Sequence, residues 1–69
     1  MKYELRIKRT EVGLTQKELA LKVGVQQPQI SKIEHGVCEP DVKTAKRIAR
    51  VLGFDWTEFY KEEDEDEEG

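Results

Sequence analysis

The sequence predicts an all-α fold: a compact bundle of five short helices with a central helix-turn-helix. Three observations predict it. Apolar residues recur at helical spacing, and no segment alternates apolar and polar over enough residues for a strand. Glycines 13, 24, 36 and 53 punctuate these stretches, where helix stops belong. Thr15 and Asp41 stand where N-caps belong, and Glu18, three residues after Thr15, completes a capping-box pair.

Each element has a local reason. The first helix is expected over Tyr3–Val12, with Leu5, Arg9 and Val12 on one face, and Gly13 stops it. The second covers about Gln16–Val23, with Leu19, Ala20 and Val23 inward, and ends at Gly24. The third covers about Gln27–His35, with Ile30 and Ile33 inward, and Gly36 closes it. Pro28 is tolerated in its first turn, where no amide partner is lost. Gln26 is a poor N-cap, so this helix starts weakly. Asp41 caps a fourth helix to about Leu52, whose apolar stripe is Val42, Ala45, Ile48, Ala49 and Leu52. Asp55 is placed to cap a last short helix, with Trp56, Phe59 and Tyr60 on one side.

A chain of 69 residues is expected to be one domain, small enough to be marginal on its own. One cysteine, Cys38, allows no internal disulfide and favours a reducing setting. No apolar run approaches a membrane span, and MKYELRIKR lacks the apolar core of a signal peptide, so a cytoplasmic protein is expected.

The net charge of −3 conceals a segregation. Residues 62–68 are all acidic. With 7 of the 15 acidic residues there, 8 remain against 12 Lys and Arg, so residues 1–61 carry about +4. We therefore read residues 1–61 as the folded domain and 62–69 as an acidic, disordered tail. A basic body suits a polyanion, and the tail opposes one. The tail reads first as a solubilising end, and otherwise as a competitor of that polyanion for the basic face or a dock for a basic partner.

Two short helices joined at Gly24 form the core of a helix-turn-helix, with Gln16, Ala20, Gly24, Ile30 and Ile33 at specific spacing. GLTQKELALKVGVQQPQISKIEHG resembles the lambda-repressor/Cro-type helix-turn-helix family. The likeness extends over roughly residues 5–60, since PDVKTAKRIARVLGFDWTEFY is similar to the family's fourth and fifth helices. The resemblance implies a five-helix domain that binds duplex operator DNA, usually as a homodimer, with its third helix in the major groove.

That resemblance gives the glutamines a use. The chain has no asparagine, and all four glutamines lie between residues 16 and 29. An amide donates and accepts at once, matching adenine N6 and N7. By the family's pattern Gln16 meets a phosphate at the start of the second helix, while Gln26, Gln27 and Pro28 face base edges. Lys32, one turn after Pro28, reaches guanine or a phosphate. Pro28 departs from the polar residue common there and offers only apolar surface to a thymine methyl. Gln29 is assigned to the DNA backbone or to solvent, and Lys43 to a phosphate at the start of the fourth helix. In related members an arginine of the first helix pairs with a glutamate ending the third, which implies a structural ion pair of Arg9 and Glu34. Trp56, Phe59 and Tyr60 form a candidate dimer interface, with Phe59 mostly core.

The expected function is a sequence-specific transcriptional regulator, most simply a repressor that occludes a promoter. The alternative is an antitoxin or protein-interaction module of the same fold, binding a partner protein through the C-terminal helix and acidic tail. No nucleophile with a base and no paired inward carboxylates point to an enzyme. His35 and Cys38 are supported by no second Cys or His, and no cofactor is implied.

Overall fold

The computed structural model describes residues 4–60. The acidic segment 62–69 and its expected disorder lie outside the described residues, as does Tyr3. Four α-helices follow in order: α1 (Glu4–Val12), α2 (Gln16–Val23), α3 (Gln27–Glu34) and α4 (Val42–Leu52). In place of a fifth α-helix there is one 3-10 turn, Trp56–Tyr60. Five residues are too few to nucleate an α-helix, and Trp, Thr, Phe and Tyr are modest helix formers. The Glu58 amide donates to the Asp55 carbonyl at 3.0 Å, the tighter i to i+3 pattern, and Asp55 Oδ1 accepts from the Thr57 amide at 3.0 Å.

The caps act as local chemistry demands. Thr15 Oγ1 accepts from the Glu18 amide at 3.0 Å, and Glu18 Oε1 accepts from the Thr15 amide at 2.9 Å. Asp41 Oδ1 accepts from the Thr44 amide at 3.0 Å. Gly24 has φ 88°, and the amides of Gly24 and Val25 both donate to the Ala20 carbonyl, at 2.8 and 3.0 Å. This left-handed turn ends α2 and sends the chain into α3.

The core draws one face from every element: Leu5 of α1, Leu19, Ala20 and Val23 of α2, Ile30 and Ile33 of α3, Ala45, Ile48 and Leu52 of α4, and Phe59. Helix α2 packs against both α3 and α4, so it is the axis of the bundle. Two expected core residues are not in it. Val12 shares the Leu5 face but is 49% exposed, because the reversal at Gly13 turns Leu14 onto the core instead. Val42 is 48% exposed at the first position of α4, where few neighbours reach. Helix α3 ends one residue early, with His35 as its C-cap.

Candidate nucleic-acid interface

The third helix presents its outer side because its inner side is committed. Ile30 and Ile33 are buried, so Pro28 and Lys32 fall opposite them, with Gln29 on one flank and Gln27 and Ser31 on the other. Gln26, Gln27, Pro28, Gln29 and Lys32 are all exposed. The N-cap Gln26 makes no side-chain capping bond, so the fold leaves its amide free. The weak start inferred from sequence is therefore also a source of an uncommitted donor and acceptor.

Behind this edge lies a chain of polar contacts. Arg9 Nε donates to Glu34 Oε2 at 2.5 Å, and Arg9 Nη2 to Glu34 Oε1 at 3.3 Å. The two side chains are 11% and 2% exposed, so the pair is buried. Arg9 Nη1 also donates to the Leu14 carbonyl at 2.8 Å. Gln16 Nε2 donates to Glu34 Oε1 at 3.0 Å, and Gln27 Nε2 donates to Gln16 Oε1 at 3.5 Å. The chain Arg9–Glu34–Gln16–Gln27 thus runs from the buried interior to the exposed start of α3. Each buried charge has a partner, which such burial requires.

Sequence reasoning treated Gln16 as a phosphate ligand alone and missed its place in this network. It also passed over Ser31, which is half-buried on the Gln27 flank, four residues on. Ser31 Oγ lies 3.5 Å from His35 Nδ1, and the Ser31 carbonyl lies 2.8 Å from the same ring nitrogen. Arg47 Nη1 donates to the Val23 carbonyl at 3.4 Å and so ties α4 to the end of α2.

Lys43 is exposed in the first turn of α4. Of the three aromatics, Phe59 is buried in the core, Trp56 is half-buried and Tyr60 is 38% exposed. The Trp56 and Tyr60 rings meet edge to face, with centroids 6.0 Å apart. Tyr60 Oη donates to the Pro40 carbonyl at 2.8 Å. Burial, then the charges of Glu39 and Asp41, hold its phenol above the ordinary range. Cys38 is an exposed free thiol. No helix among the described residues is long and apolar enough to cross a membrane.

The comparisons agree with this geometry. A family model described as helix-turn-helix matches residues 5–59. An HTH-type transcriptional regulator of Methanothermobacter thermautotrophicus is 44% identical over 66 residues, covering 93% of this chain and 96% of its own. The HTH-type transcriptional regulator YqaF of Bacillus subtilis is 37% identical over 62 residues, covering 90% and 82%. A third, from Methanocaldococcus jannaschii, is 36% identical over 66 residues, covering 96% and 100%. No solved structure matches significantly. A helix-turn-helix closed by its caps, a matching family model over nearly all of the described fold, and relatives of similar length together place the chain in the helix-turn-helix family of DNA-binding transcriptional regulators, of the lambda-repressor and Cro type.

Proposed function

We propose that the protein is a cytoplasmic repressor that binds operator DNA as a homodimer and blocks transcription by covering a promoter. The observation that carries this reading is the Gln27–Gln16–Glu34–Arg9 chain, which holds a base-reading amide from behind. With one Nε2 hydrogen on Gln16, Gln27 keeps its second N–H and its Oε1. Those are the donor and acceptor that adenine N7 and N6 need. Gln26 and Lys32 read neighbouring base edges, and Pro28 meets a thymine methyl. Gln16, Gln29 and Lys43 hold phosphates, which fix register and supply most of the affinity. Trp56 and Tyr60 supply the contact between copies.

The test is selection from randomised duplex DNA. Recovery of a two-fold symmetric site, with half-sites about one helical turn of 34–36 Å apart, supports the reading. Weak, salt-sensitive retention with no motif would sink it, and would favour the protein-interaction module.

A further inference from the structure

Helix α4 carries four cations and no carboxylate between Val42 and Leu52. Lys43, Lys46, Arg47 and Arg50 are all exposed and recur at three- and four-residue spacing. They therefore form one ribbon, opposite buried Ala45, Ile48 and Leu52 and about 10 Å long at the α-helical rise. Among the described residues the one ion pair is Arg9–Glu34, so no ribbon cation is paired there. Arg47 is partly committed to the Val23 carbonyl, and Lys46 Nζ rests 5.1 Å from the Trp56 ring centroid. Asp41, the cap of α4, is a carboxylate close enough to Lys43 to feel its charge. Helix α2 packs against both α3 and α4 and so stands between this ribbon's helix and α3.

A ribbon of like charge attracts a polyanion. The chain carries one: seven consecutive acidic residues at 62–68. The described fold ends beside the ribbon. Tyr60 is held to the Pro40 carbonyl, just ahead of Asp41, and Trp56 in the same 3-10 turn lies under Lys46. Residues 61–68, extended, reach at most about 26–29 Å, more than twice the ribbon's length. A short tether also sets a local concentration in the millimolar range. Glu39 and Asp41 add negative charge near Tyr60, in the loop before α4, so the cations that can receive the acidic run are those of the ribbon beyond them.

We propose that the acidic segment 62–68 docks on the Lys43–Lys46–Arg50 ribbon of α4 in the same molecule. The segment is then an internal counter-ion for α4, bound without entering the face of α3. Under the operator-reading assignment, on which only this consequence rests, docking covers Lys43 and competes with a phosphate there.

The test uses the full chain without DNA. In one variant all seven acids become amides (Glu62→Gln, Glu63→Gln, Asp64→Asn, Glu65→Gln, Asp66→Asn, Glu67→Gln, Glu68→Gln). Amide NMR spectra are compared with those of the unaltered chain at about 0.01 M and about 1 M salt, between which the screening length falls from about 30 to 3 Å. The expected differences at low salt centre on residues 43–50, vanish at high salt and do not change on dilution. In a second variant, Lys43→Gln, Lys46→Gln and Arg50→Gln together, the amides of residues 62–68 move to their high-salt positions at low salt. Superposed low-salt spectra would overturn the proposal. So would differences centred on Gln26–Lys32, which place the segment on α3, or differences that fade on dilution, which place it on a second copy. None of these results reads DNA binding, so failure here leaves the operator reading standing, and failed operator selection leaves this contact standing.

Discussion

The Gln16 amide donates to Glu34 at 3.0 Å and joins the first residue of α2 to the last residue of α3. The bond rests on a carboxylate already held by Arg9 of α1. Three helices therefore meet at Glu34, and the pose of α3 depends on a buried charge as well as on Ile30 and Ile33. In a domain with so small a core, that dependence is strong enough to measure.

Replacing Glu34 by Gln strands the Arg9 guanidinium without a carboxylate. Breaking one side of a buried pair costs about 3–5 kcal/mol. Urea unfolding of Glu34→Gln is expected to show a loss of that size. The double replacement Arg9→Met with Glu34→Leu is expected to recover most of it, because apolar side chains of similar volume carry no unpaired charge. A single-variant loss below about 1 kcal/mol, the range of exposed pairs, would show that the pair is not structural.

Gln27 and Gln16 are expected to act as one unit on DNA. Gln27→Ala should relax one base position per half-site, at a cost of about 1–3 kcal/mol on the preferred sequence. The Gln16→Ala and Gln27→Ala cycle should show a coupling of about 0.5–3 kcal/mol, since the two amides are in contact. Additive losses on the selected operator would mean that Gln16 serves the phosphate alone.

Lys43→Gln separates affinity from sequence reading. Binding should weaken uniformly across sequences, with the salt slope reduced by about 1. An altered base preference would move Lys43 from the backbone to a base edge.

Gly24→Ala tests the turn. At φ 88° a side chain is strained, while the nearest atom to an added Cβ is Arg47 Nη1 at 3.6 Å, an ordinary contact. The cost is therefore conformational, about 1–2 kcal/mol. Gly13→Ala, at φ 89° with open space around it, should lose a similar amount in the same unfolding measurement. A much larger loss at Gly24 alone would point to a packing clash.

Asp41 makes the fold sensitive to acid. Hydrogen bonds from the Thr44 side chain and then its amide hold the carboxyl below its ordinary range. The folded value lies below the unfolded one, so the stabilisation is complete above the unfolded value. It is lost as pH falls below about 4 and through the folded value. Asp41→Asn keeps an acceptor that does not titrate. Its melting temperature should trail that of the unaltered chain at neutral pH and converge on it as the pH falls through the folded value of Asp41. Parallel curves would assign acid sensitivity elsewhere.

The all-α class was legible because its signals are local. Thr15, Glu18, Asp41 and the glycines act on backbone groups within a few residues, so their spacing alone marks where α2 and α4 begin and end. Helical periodicity found most of the core for the same reason. It failed at Val12, because periodicity assigns a face but does not say how far the neighbouring helices extend along it. It failed for Trp56–Tyr60 because five residues follow tertiary contacts more than propensity.

By itself the sequence determined the helix-turn-helix, the side of α3 that faces outward and the segregation of acidic from basic charge, all properties of residues close together in the chain. Only the tertiary structure decided what stands behind that outward face. Gln16 and Glu34 are 18 residues apart and Arg47 and Val23 are 24, while the pairing of Arg9 with Glu34, 25 residues apart, was expected from the family resemblance alone. No local rule joins such pairs, because their distances are set by how α1, α2, α3 and α4 cross, and those crossings follow from burying Leu5, Leu19, Ile30 and Ile48 together.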